Sequence, residues 1–199
     1  MRQKFNLKEL MGAILRSHLY QLSTVPNEFN RADTRNFSRS YRRRLPAEVL
    51  TDAVADITGV PTNYPGMPPG SRAIQAWSYK IESPTMDAFS RPNSSSDCPC
   101  ERDAKPSIVQ ALHLMNSRIL QGKFASKDAA ARVQRLAESQ RTPAEIVTDL
   151  YLACYTRPPT DDELKIATTP FTAEGATRRT ATEDVLWSLM NSAEFVFNH

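Results

Sequence analysis

The sequence has 199 residues, 40% hydrophobic and 24% charged, with a formal net charge of +3. That is length for one full domain or two small ones, a composition able to bury a core, and too weak a charge to suggest a nucleic-acid partner. No run reaches the roughly 18 apolar residues of a membrane span. The three cysteines, Cys98, Cys100 and Cys154, form neither a closed disulfide framework nor a C-x-x-C or C-x-x-C-H motif.

The N-terminus leads straight into an amphipathic pattern, with no apolar signal region and no small-residue cleavage site, so no signal peptide is expected in this chain. Leu7, Leu10, Met11, Ile14, Leu15, His18 and Leu22 fall at helical spacing. They predict a first helix that buries this stripe, capped by Asn6 with Glu9 as reciprocal partner. His18 reads as a satisfied core residue. Residues 1–50 hold ten Lys or Arg against four Asp or Glu, a local balance of +6, so the rest sums to −3. The excess centres on Arg31, Arg35, Arg39 and Arg42-Arg43-Arg44. It reads as a solvated turn pairing with the acidic remainder, or as a phosphate-binding stripe.

Pro46 opens a second helix with Val49, Leu50, Ala53, Val54 and Ile57 inward, stopped by Gly59 and Pro61. Residues 60–106 hold eight of the fourteen prolines. A short strand over Ala73–Lys80 and a helical turn over Pro84–Phe89 are expected there. Irregular stretches of this length tend to be functional or disordered.

Beyond Pro106 the chain is predicted helical. Ile108, Leu112, Met115 and Ile119 form one inward stripe, and Gln110, His113 and Ser117 lie off it. Ser126 caps a helix with Ala129, Val133, Leu136 and Ala137 inward. Thr142-Pro143-Ala144-Glu145 and Thr160-Asp161-Asp162-Glu163 are capping boxes. The first launches a stripe of Ile146, Val147, Leu150, Tyr151 and Cys154, which makes Cys154 a buried, inert thiol. A last helix from about Thr182 buries Val185, Leu186, Leu189, Met190, Ala193 and Val196 or Phe197. Leu114-Met115-Asn116-Ser117 recurs as Leu189-Met190-Asn191-Ser192, which marks an internal duplication or a helix bend in each copy. The fold expected is all-α: an irregular bundle of six or more helices, with a helical pair over 1–59, a Pro-rich irregular segment over 60–106 and a helical bundle over 107–199.

Four stretches in order carry a family pattern. They are Arg43-Arg44-Leu45-Pro46-Ala47-Glu48-Val49-Leu50 with Thr58-Gly59-Val60-Pro61; Phe89-Ser90-Arg91-Pro92 into Cys98-Pro99-Cys100-Glu101-Arg102; Gln110-Ala111-Leu112-His113-Leu114-Met115-Asn116-Ser117; and Trp187 through Phe195, ending at His199. Together they resemble the C-terminal part of the planctomycete secreted domain, a domain of unknown function numbered 1553. Ser90 stands where that family usually has Gly. The resemblance implies the C-terminal end of a large secreted bacterial protein, with upstream domains of the same protein as partners and Met1 as a truncated or re-initiated start. It also implies that any c-type haem would sit in an upstream domain, with no cofactor in this chain.

No Gly-rich phosphate loop, G-x-S-x-G or H-E-x-x-H occurs. The expected role is therefore a non-catalytic structural or interaction domain. The alternative is part of an extracytoplasmic enzyme acting on polysaccharide, with Asp87, Glu101 and Asp103 as candidate carboxylates. The candidate structural or binding cluster is Arg91, Cys98, Cys100, Glu101, Arg102, His113 and Asn116, where the irregular segment meets the next helix. Cys98 and Cys100 are read as a tight disulfide, as soft-metal ligands with His113, or as neighbours of a Glu101–Arg102 lock onto the helices.

Overall fold

The structure is a computed structural model that describes residues 6–76, 80–91 and 107–198. Among the described residues the chain is all-α. Ten helices carry it, and strand is confined to one two-stranded ribbon. The chain divides into two compact units, Met1–Arg43 with Phe197–His199, and Arg44–Val196.

In the first unit, helix α1 spans Leu7–Leu15, and the Asn6 side chain accepts from the N–H of Lys8 and Glu9 as a cap should. The expected burial of its stripe is not observed. No residue of α1 is buried, and Leu7, Leu10, Met11, Ile14 and Leu15 are each at least 48% exposed. The helix also stops before His18, which is exposed. Ser17 explains the stop, because its hydroxyl donates to the Ile14 carbonyl at 2.7 Å and accepts from Tyr20 N–H, offering the backbone a turn in place of another helical bond. Farther on, the Asp33 carboxylate accepts from the N–H of Arg35, Asn36 and Ser38 and from the Ser38 hydroxyl. Those bonds, the Ser38 hydroxyl first, hold its pKa far below the usual carboxylate range. The ribbon is formed by β1 (Arg43–Arg44) and β2 (Phe197–Asn198), where Arg43 N–H donates to Asn198 Oδ1 at 3.0 Å.

The second unit is built on three helices: α2 (Ala47–Thr58), α7 (Pro143–Tyr155) and α9 (Arg178–Met190). Leu50 and Val54 of α2, Ile146, Val147 and Leu150 of α7, and Leu186 and Met190 of α9 are fully buried. Around them lie α3 (Pro84–Ala88), α4 (Ile108–Asn116), α5 (Arg118–Phe124), α6 (Arg132–Glu138), α8 (Asp161–Thr168) and α10 (Ala193–Val196). The Thr142 and Thr160 capping boxes form as expected, with Pro143 in the first turn of α7. Thr177 and Thr180 make a further box that starts α9 at Arg178, earlier than Thr182. Ser126 caps only a turn, accepting from Asp128 N–H, and the following helix begins at Arg132.

Several faces differ from expectation. On α2, Val49 is exposed while Thr51 and Asp52 are buried. Asp52 accepts from the N–H of Ala73 (2.6 Å) and Ile74 (3.2 Å) and so caps a 3-10 turn, Ala73–Gln75, that stands where a strand was expected. Trp77–Tyr79 of that predicted strand lie outside the described residues. The Pro-rich segment is not merely superficial either, since Tyr64, Ala73, Ile81, Met86 and Phe89 are all buried. At Ser90 the backbone is left-handed (φ 61°), a conformation suited to Gly, at a cost of about 1–2 kcal/mol for a side-chain-bearing residue. The two Leu-Met-Asn-Ser copies each end a helix and admit a short one, α5 or α10. In the second copy, Asn191 Nδ2 donates to Trp187 O at 2.8 Å and Ser192 Oγ accepts from Phe195 N–H at 3.2 Å, so the motif acts as a polar helix break.

Candidate functional site

The site forms where α3 meets α4 and α5. Ser83 caps α3 by accepting from Met86 N–H, and Pro84 fits the first helical position. The turn so fixed brings Thr85 and Phe89 to His113 and leaves Asp87 to engage Arg91. Thr85 Oγ1 lies 3.0 Å from His113 Nε2, and the Phe89 ring meets the His113 ring edge-on at 6.3 Å. Burial lowers the His113 pKa and favours its neutral form. Arg91 Nη2 bonds Asp87 Oδ1 at 2.7 Å, while its Nη1 is buried with no hydrogen-bond partner among the described residues. Arg44 lies over the Phe89 ring at 5.4 Å and donates to the Phe89 carbonyl at 3.0 Å.

Beside this patch is a cavity of about 300 Å³ whose walls include Thr51, Asn63, Glu82, Thr85, Leu120 and Lys123. Lys123 is buried and donates to the carbonyls of Val60 (2.5 Å) and Pro61 (3.2 Å). Desolvation brings its pKa down to about 8. Tyr64 is buried nearby, its pKa raised first by burial. The arrangement supplies apolar walls, an amine and a few hydroxyls, which suits binding and positioning.

Of the residues singled out from the sequence, Arg91 and His113 flank the same short helix, each held by one of its side chains. Asn116 is exposed at the end of α4. Cys98, Cys100, Glu101, Arg102 and Asp103 lie outside the described residues, and the disulfide, metal and lock readings lie there with them. Among the described residues no group of three His, Cys, Asp or Glu is arranged for a metal ion. Asp87, a candidate carboxylate, is half exposed and paired with Arg91. The face assignment of α4 is reversed. Ile108, Leu112, Met115 and Ile119 are between 44% and 75% exposed, while Gln110 and Leu114 are buried. Gln110 keeps a hydrogen bond although buried, its side chain accepting from Ser107 N–H in a capping box. Lys123, Thr85 and Asp52 were not anticipated. The one available signal was Lys123 falling between the buried Leu120 and Phe124.

Cys154 packs against the core but is only partly buried, where a buried thiol was expected. Burial pushes its thiol up to about 12, and nearby Arg132 offsets only part of this. In folded protein at pH 8, alkylation of Cys154 followed by peptide mass spectrometry is expected to be at least about 100-fold slower than in denaturant. Equal rates would show that the thiol is accessible.

A family model described as PSD1, protein of unknown function (DUF1553), matches residues 1–171. No curated protein and no solved structure matches the chain.

Proposed function

The chain belongs to the PSD1 family, proteins of unknown function (DUF1553), and from that premise we propose that it is a non-catalytic interaction domain of an exported multi-domain bacterial protein. The observation that carries this reading is α1. Its apolar residues recur at helical spacing, yet none is buried. A capped amphipathic helix with a bare apolar face supports a role in packing against another surface. The occupant proposed is a preceding domain of the same polypeptide, because the family resemblance places further domains upstream. Any c-type haem of that protein would be held upstream too, since this sequence has no C-x-x-C-H.

Replacing Leu7 and Met11 together with Glu tests the proposal. Both side chains are exposed, so the chain by itself is expected to keep its stability within about 0.5–1 kcal/mol. In the full-length protein the same change is expected to raise hydrogen exchange across α1 and to lower the melting transition. Unchanged exchange in the full-length protein would overturn the packing role. Recovery of the full-length product in the cytosolic fraction would overturn export.

A further inference from the structure

One reading of the sequence pairs the basic stretch with the acidic remainder, and for most of its arginines the described residues show no such pairing. Among the described residues, Arg31, Arg35, Arg39, Arg42 and Arg43 form no ion pair. Arg39 and Arg43 instead line a cavity of about 450 Å³ in the first unit, shared with Tyr20, Phe37, Ser40 and Tyr41. Among the described residues no Asp or Glu lines it. The carboxylate of the same loop, Asp33, is already committed to three backbone N–H groups and the Ser38 hydroxyl.

The walls are ordered by stacking. The Arg39 guanidinium lies 4.8 Å from the centre of the Tyr41 ring, and that ring meets Phe37 edge-on at 6.0 Å. Stacking engages the face of a guanidinium and leaves the N–H donors on its edge. Among the described residues, Arg39 Nε is buried with no hydrogen-bond partner. A buried charged donor without an acceptor is uncommon in folded proteins, and an absent ligand is one reason for it.

The geometry points to a binding site for a small organic oxyanion, a carboxylate or phosphate monoester carried on a flat apolar body. The guanidinium fork of Arg39 matches either head group, Arg43 adds a second positive charge, and the aromatic walls take the body. The volume lies in the range of small-molecule pockets, about 300–1,000 Å³. This ligand site goes beyond the packing role of α1 and involves neither Leu7 nor Met11.

Calorimetric titration of the chain at low salt tests it, with phenyl phosphate, benzoate, inorganic phosphate and benzyl alcohol as probes. Phenyl phosphate or benzoate is expected to bind saturably at one site, roughly tenfold or more tighter than inorganic phosphate or the neutral alcohol. The tighter of the two aromatic anions identifies the head group. Arg39→Met and Arg43→Met are each expected to weaken binding roughly tenfold. Arg39→Lys, which keeps the charge and loses the fork, should weaken it too, and it serves if Arg39→Met fails to fold by near-ultraviolet circular dichroism. Absence of saturable binding by either aromatic anion, equal affinity for inorganic phosphate, or full binding by a folded Arg39 variant would each overturn the assignment.

Discussion

Replacing Arg157 with alanine is expected to lower the stability of the chain by about 2–3 kcal/mol, or roughly 4–12 °C in thermal midpoint. Arg157 joins three helices of the second unit. Its Nη1 and Nη2 bond the two oxygens of Glu163 on α8, both at 2.8 Å, and its Nε and Nη2 bond those of Glu194 on α10 at 2.7 and 2.8 Å. The guanidinium also lies 5.6 and 5.5 Å from the rings of Tyr151 and Tyr155 on α7. Removing it leaves two carboxylates without their shared cation. The three side chains are about one-third exposed (36%, 32% and 28%), so water screens part of the loss and the full cost of breaking a buried pair is not reached. Lysine should restore less than half, since a single ammonium cannot serve both carboxylates side-on.

The same substitution carries a pH signature. Hydrogen bonding from Arg157, and then from Thr160 N–H, holds the Glu163 carboxyl at about 2, against an ordinary value of 4.5. A carboxyl whose pKa is depressed by folding stabilises the fold above its unfolded value and loses that contribution as pH falls toward its folded value. Wild-type stability should therefore decline from about pH 4.5 to about pH 2 partly through Glu163. Arg157→Ala should show a shallower decline in that window by chemical denaturation. Identical slopes would show that the pairing contributes nothing to acid stability.

Gly59→Ala is expected to cost about 2–4 kcal/mol. Gly59 ends α2 in the left-handed region at φ 70°, where a side chain costs about 1–2 kcal/mol. A Cβ there would also lie 2.6 Å from the Ala130 carbonyl oxygen, a backbone atom that cannot swing aside. Moving that strip of chain would disturb Arg132, which donates to Ile57 O and Asp149, both at 2.7 Å. Gly175→Ala separates the two causes, because Gly175 has φ 73° with no atom near the added Cβ. It should lose only the conformational part in a thermal melt. Equal losses at both glycines would mean that the close approach to Ala130 is relieved at no cost.

Legibility of the site followed the range of the interactions. Arg91 and His113 stood out as polar residues beside the irregular segment, and both do engage α3. Lys123 was hidden because its burial depends on the carbonyls of Val60 and Pro61, some sixty residues earlier. Asp52 was hidden for the same reason, as its partners lie beyond a stretch rich in proline.

The sequence by itself determined the all-α class, the Thr142 and Thr160 capping boxes, the left-handed stop at Gly59 and the inward faces of α7 and α9. Each of these rests on interactions within a few residues, or on a stripe broad enough that the core had one face to choose. Tertiary structure alone decided that α1 and the Ile108–Ile119 stripe stay exposed, and that Thr51, Asp52, Gln110 and Lys123 are buried in place of apolar neighbours. Periodicity marks which face of a helix is apolar. Whether that face is covered, and whether a buried polar group finds its partner, depends on chain brought in from far along the sequence.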